Sequence, residues 1–298
     1  MVLVIYGIRI ISDRAFSLPF PKTSPFKKTL TLKAIPPTSL KASFTCGTYL
    51  HTTHKHRIFL YSNKSINKPL TAKQPLCYEV EGKLRFYWYY KDTTLYYEII
   101  DTASEDFDFW FVHTFFPLFL SMEKYYTLLH GSAVEIEGRS ILFLAPYNSG
   151  KSTLTYYLSQ EKGYRLIADD ILPTWIENDT LHYAPSHPFS RPFRQIQTLG
   201  DKVEHFKNTF GKIDAVYILQ NHSETTETTI RALEGIEKFT LVRKNSLIYT
   251  LKSFRLDHEA YLGRLLNIIP FFVIDRPWGK AYLEESYQTI KRHINSLY

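Results

Sequence analysis

The stretch Ile141–Leu158, ILFLAPYNSGKSTLTYYL, decides how the rest of the chain is read. An apolar run, ILFLA, leads into Gly150-Lys151-Ser152-Thr153 and on into LTYYL, an order that predicts strand, tight loop and helix. In such a setting the N–H groups of the loop and of the helix N-terminus point inward and cradle phosphate oxygens. The spacing assigns that cradle to Asn148, Ser149, Gly150, Lys151, Ser152 and Thr153. It gives Lys151 the β- and γ-phosphates of ATP, and the Ser152 hydroxyl a place on Mg²⁺. Loops of this kind usually open on glycine, and here Ala145 and Pro146 stand there instead. Alanine takes a positive φ only at a cost of about 1 kcal/mol, and none if the backbone is extended. Proline has no N–H to donate, so phosphate binding falls to the residues from Asn148 to Thr153.

Two flanking segments add chemistry. After the loop helix, YRLIADD reads as a buried strand ending in Asp169 and Asp170. Adjacent carboxylates beside a phosphate site can divide two jobs, one near a metal and one taking a proton from an attacking hydroxyl. Before the loop, LLHGSAVEI places His130 at the start of a hairpin whose second strand feeds the loop, so the hairpin can return the imidazole towards the phosphates. Arg191 and Arg194, in the later stretch APSHPFSRPFRQ, are candidates for contact with phosphate or acceptor. His182 and His187, nearby, read as structural.

Along the chain, VLVIYGIRIIS predicts an opening strand, and the Pro-, Ser- and Lys-rich residues that follow predict irregular cover. EVEGKLRFYWYYKDTTLYYEIID predicts a hairpin turning at Lys91-Asp92. The division expected is a β-rich module over 1–106, a connecting helix over 107–129 and an α/β domain over 130–298. Within that domain, DAVYILQ and FFVID read as strands, and three helices are expected in the last third.

Composition narrows the class. The 298 residues are 44% hydrophobic, 22% charged and 16% aromatic, as in a folded, β-containing protein. A net charge of +7 is spread among acids and reads first as a solvated surface, with a phosphate-bearing ligand accounting for part of it. No nucleic-acid recognition motif accompanies it. Two cysteines form no framework, which fits a reduced, cytoplasmic setting. The apolar segment around Phe107–Leu129 is broken by His113 and Pro117 and is too short for a membrane span. HTTHKH, with His51, His54 and His56, has metal-like spacing but no cysteine or carboxylate with it.

LHGSAVEI, SGKST and GYRLIADD, in this order from His130 to Asp170, resemble the catalytic domain of the HPr kinase/phosphorylase family. The resemblance implies a P-loop kinase domain, similar around the nucleotide to phosphoenolpyruvate carboxykinase, behind a β-rich N-terminal module. It implies an ATP- and Mg²⁺-dependent enzyme that phosphorylates a serine hydroxyl of a peptide or small protein. It further implies a homo-oligomer. By position, Lys151 matches the phosphate-binding lysine, Ser152 and Asp170 the metal side, Asp169 the base, and His130 the histidine that supports the base. The Leu-Glu-x-Arg-Gly-x-Gly run of that family is replaced here by APSHPFSRPFRQ. The layout is similar to shorter relatives that include lasso-peptide precursor kinases. A nucleotide-binding module without phosphotransfer, or a kinase of a small metabolite, are the alternatives.

Overall fold

Aromatic and β-branched residues crowd the first hundred positions, and they form strands. In the computed structural model, residues 1–34, 36–103, 106–146, 149–160, 163–191, 198–222, 226–246 and 252–297 are described. They divide into two units. The first is Met1–Tyr125 with Gln195–Leu199 and Tyr249–Asp257, and the second is the remainder from Tyr126 onward.

In the first unit, the strands are β1 (Val2–Ile5), β2 (Ile8–Ser12), β3 (Lys28–Ala34), β4 (Cys46–Thr53), β5 (His56–Ser62), β6 (Pro75–Val80), β7 (Leu84–Tyr89) and β8 (Thr94–Ile99). They make one sheet in the order β1-β2-β3-β8-β7-β6-β5-β4. The N-terminal run is a hairpin and not one strand. Tyr6 and Gly7 both take positive φ, 54° and 64°, as a two-residue turn requires. β3 lies in the stretch expected to be irregular cover. Its TLTL alternation buries Leu30 and Leu32, and this outweighs the turn formers around it. The turn at Lys91-Asp92 joins β7 to β8 as expected.

α1 (Thr38–Lys41) is a single turn, and α2 (Phe107–Phe109), a π-helical turn (Trp110–Phe115) and α3 (Phe116–Met122) run end to end. This helical run is core, because the Phe86 and Phe115 rings stack at 4.2 Å and Trp88 meets Phe115 and Phe119 edge-on. It also ends sooner than the sequence suggests. Lys124 turns to a φ of 58°, which closes the helix, and a strand begins at Thr127. His54 and His56 pack edge-on against Phe109 and Trp110 at the β4–β5 turn. Among the described residues no helix is long and apolar enough to cross a membrane.

The second unit is a mixed sheet with helices on both faces. Its strands are β9 (Thr127–Ile136), β10 (Arg139–Leu144), β11 (Tyr164–Ala168), β12 (Ile171–Glu177), β13 (Thr180–Tyr183), β14 (Phe189–Ser190), β15 (Asp201–Lys202), β16 (Gly211–Lys212), β17 (Ala215–His222), β18 (Thr229–Ala232) and β19 (Phe271–Pro277). The main order is β16-β13-β12-β9-β10-β17-β19-β18, with β10, β17 and β19 parallel. Parallel strands buried on both faces read as continuous apolar runs, which is why ILFL, AVYIL and FFVI look alike. The helices are α4 (Lys151–Ser159), α5 (Gly235–Ser246), α6 (Lys252–Ile268), of which His258–Ile268 belong to this unit, and α7 (Leu283–Ser296). Alternate residues of β10 sort between them. Leu142 and Leu144 pack with α5 and α6, and Ile141 and Phe143 with α4 and α7.

Candidate active site

β9 carries two partners in succession along one edge. Its first part, Thr127–His130, pairs with β12, and its second part, Ala133–Ile136, pairs with β11. β11 and β12 are thus consecutive pieces of one edge, interrupted by Asp169 and Asp170 opposite Gly131 and Ser132, just beyond His130, which pairs with Ile171. Asp170 takes a φ of 79°, a conformation that aspartate tolerates better than most residues, and this turn frees both carboxylates from the ladder. The other edge of β9 pairs with β10, Gly131 facing Leu144. A Cβ at Gly131 would lie 2.6 Å from the Phe143 carbonyl oxygen, so only glycine lets the strands meet there.

The two aspartates have different surroundings. Asp169 is 5% exposed. Its Oδ1 accepts from the Ser132 hydroxyl at 2.8 Å, and its Oδ2 from the Ser190 hydroxyl and the Arg191 N–H, both at 2.9 Å. Three donors on one buried carboxylate make an anchor. Asp170 is 28% exposed at its side chain, with Oδ1 3.3 Å from His130 Nδ1 and Oδ2 3.4 Å from the Arg191 guanidinium. The family resemblance assigns Asp169 to the base and Asp170 to the metal. The carboxylate that faces other titrating groups and solvent is Asp170.

Arg191 follows β14, which is held in place by β15. Gly200, at a φ of 92°, packs its bare Cα against the Ser190 carbonyl, fixing the Ser190-Arg191 pair over Asp169.

Across β10 lies the Gly-Lys-Ser loop. Ala145 has no positive φ and is fully buried, so its side chain replaces glycine without strain. Gly150, at a φ of 78°, precedes α4, whose first regular bond runs from Leu154 N–H to the Gly150 carbonyl at 3.0 Å. The N-terminus of a helix carries partial positive charge and N–H groups that suit an anion, and α4 begins at this loop. Lys151 folds back to donate to the Ala145 and Pro146 carbonyls, at 2.8 and 3.2 Å. Ser149 bonds the Pro146 carbonyl through its hydroxyl. Ser152 and Thr153 are half-buried in the first turn of α4. Asn148 and Arg194 lie outside the described residues.

Burial sets the electrostatics. It pulls the Lys151 pKa down, against the attraction of Asp170 and then Asp169. It pulls the His130 pKa down as well, opposed by Asp170 and reinforced by Lys151. His130 stands on β9 beside the turn that carries both aspartates, and the strand on the other edge of β9 leads into the Lys151 loop.

One residue escaped the sequence reading. Arg276, near the end of β19, is 5% exposed, and its guanidinium donates to the Ser149 carbonyl at 3.0 Å. A Cβ on Gly150 would lie 2.8 Å from it. Burial lowers its pKa to about 10, still leaving it charged at neutral pH. The signal was the polar DRP that closes the apolar FFVI, on a strand two places from β10.

No protein-family model matches the chain, and no curated protein matches it. Among solved structures, the chain is similar to the Hpr(Ser) kinase/phosphatase from Coxiella burnetii, at 14% identity and a TM-score of 0.36, over 57% of this chain and 98% of that one. That is a distant likeness of fold.

Proposed function

We propose that the second unit is a nucleotide-dependent phosphotransferase that moves the γ-phosphoryl group of ATP to a serine hydroxyl of a peptide or small protein, with a lasso-type precursor peptide as the leading acceptor. The observation that carries this reading is that His130 Nδ1 lies 3.3 Å from the Asp170 carboxylate, with His130 on β9, the strand paired with the β10 that feeds the Gly-Lys-Ser loop. A phosphate loop and a proton-accepting pair share one site. The serine acceptor rests on the sequence resemblance from His130 to Asp170.

In this reading the Lys151 ammonium leaves its two carbonyl partners for the phosphates, where the N–H groups opening α4 also point. The acceptor oxygen bonds to the γ-phosphorus as the bond to the bridging oxygen breaks, and ADP departs. The acceptor proton passes to His130, which burial keeps as neutral imidazole, and Asp170 beside it stabilises the imidazolium that forms. Asp169 positions β11, Ser132 and Arg191. Arg191 offers its guanidinium to charge developing on the phosphoryl oxygens. The Ser152 hydroxyl and the Asp170 carboxylate are hard oxygen donors of the kind Mg²⁺ takes. Ser152 and Asp170 would hold Mg²⁺ together with substrate phosphates, a cation that ordinarily needs only one or two protein carboxylates. When bound, it would supply neutralisation of phosphate charge.

The test is incubation with γ-labelled ATP and candidate serine peptides. Wild type should transfer label, and His130→Gln should slow transfer by about 100- to 10,000-fold. Binding of ATP with no transfer to any acceptor would leave a nucleotide-binding module instead.

A further inference from the structure

β19 ends at Pro277 and the chain goes on into Trp278-Gly279, where Trp278 is 57% exposed although it is the largest kind of side chain. Its six-membered ring lies against the Gly-Lys-Ser loop. A Cβ built on Gly150 would be 3.6 Å from Trp278 Cζ3 and 3.9 Å from Cη2. The indole thus lies beside the space that a side chain at the residue just before Lys151 would fill, and it keeps more than half of its surface open. Its mounting is rigid. Arg276, two residues earlier, is buried and bonded to Ser149, and Pro277 fixes its own φ. Gly279, at a φ of 134°, turns the chain sharply just afterwards.

We propose that Trp278 is the platform on which the base of the bound nucleotide stacks. The inference rests on the nucleotide reading above. If phosphates sit on the loop at Gly150–Ser152, the base tethered to them reaches only the surfaces that border that loop. An exposed, rigidly held indole at its edge offers a flat apolar face, and every base has a matching π-face. No residue expected from the sequence supplied a contact for the base. The Gly-Lys-Ser loop recognises phosphate alone, so discrimination of a nucleotide from a bare polyphosphate falls to this face. Gly150 serves both ends of the molecule. Besides its positive φ, its missing side chain leaves the indole uncovered.

The test compares Mg-ATP with Mg-tripolyphosphate, which has the phosphates and no base, by titration calorimetry. Trp278→Ala should bind ATP about ten-fold more weakly than wild type, with tripolyphosphate affinity unchanged. Trp278→Phe should keep most of the ATP affinity and guards against a loop disturbed by truncation. ATP, and not tripolyphosphate, should quench an emission component of wild type that Trp278→Phe lacks. Unchanged ATP affinity in Trp278→Ala, whether or not acceptor binding changes, overturns the platform and leaves the nucleotide reading standing. Equal loss of both ligands also overturns it, since the indole would then only brace the loop. If wild type binds neither ligand, both readings fall.

Discussion

The neighbouring Asp169 and Asp170 separate structure from chemistry. Replacing Asp169 with alanine leaves two hydroxyls and an N–H without their acceptor, and it should cost about 3 kcal/mol, read as a fall in the urea midpoint. Asp170→Asn keeps a residue that tolerates positive φ and should leave stability within about 1 kcal/mol. It should nonetheless lower transfer by about 100-fold, since it no longer stabilises the imidazolium. His130 adds a dependence on pH. Its folded pKa is held below the ordinary 6.5 mainly by burial, so on acidification the unfolded chain takes up this proton first. Its contribution to stability is therefore whole above 6.5 and is lost as pH falls from there through the folded value. Urea midpoints at about pH 5 and about pH 8 should differ less in His130→Gln than in wild type. The residue types at this site were legible as His-Gly, Gly-Lys-Ser and Asp-Asp. Which aspartate is saturated was not, because Ser132 and Ser190 reach Asp169 from segments that no local pattern connects.

At the scale of elements, two glycines hold the site together for different reasons. Gly131→Ala forces a methyl group into the Phe143 carbonyl between β9 and β10. It should destabilise by about 1–3 kcal/mol, measured by thermal melting. Gly150→Ala meets both a disfavoured φ and the Arg276 guanidinium. Tripolyphosphate binding should fall in that variant beyond what its smaller loss of stability explains. The strands β10, β17 and β19 and the helix α4 were readable from apolar runs and from the glycine before the helix. β3 was hidden by the prolines and lysines around it, and the end of α3 because Glu123-Lys124 is only a brief polar break before the apolar residues that lead into β9. Periodicity does not mark a boundary when both sides of it are buried. Arg276 was illegible for a related reason. It becomes part of the site through the parallel register of β17 and β19, a non-local fact.

At the scale of the molecule, the aromatic surplus of the composition is spent mainly in the first unit, on a sheet closed over by an aromatic helix. Phe115→Ala should cost that unit about 3–5 kcal/mol, seen as a lowered transition in calorimetry. ATP affinity measured below that transition should stay within about two-fold of wild type, as sites that share no partners behave independently. The strand β9 has a wider meaning for the whole chain. His130 and Ser132 lie on one of its faces because side chains alternate. If the strand annealed one residue out of place, both would turn away from the aspartates, although every ladder bond could still form. A misassembled copy would thus be compact and inert. On the proposed reading, an assay of transfer would therefore count only those chains whose sheet closed in the right phase.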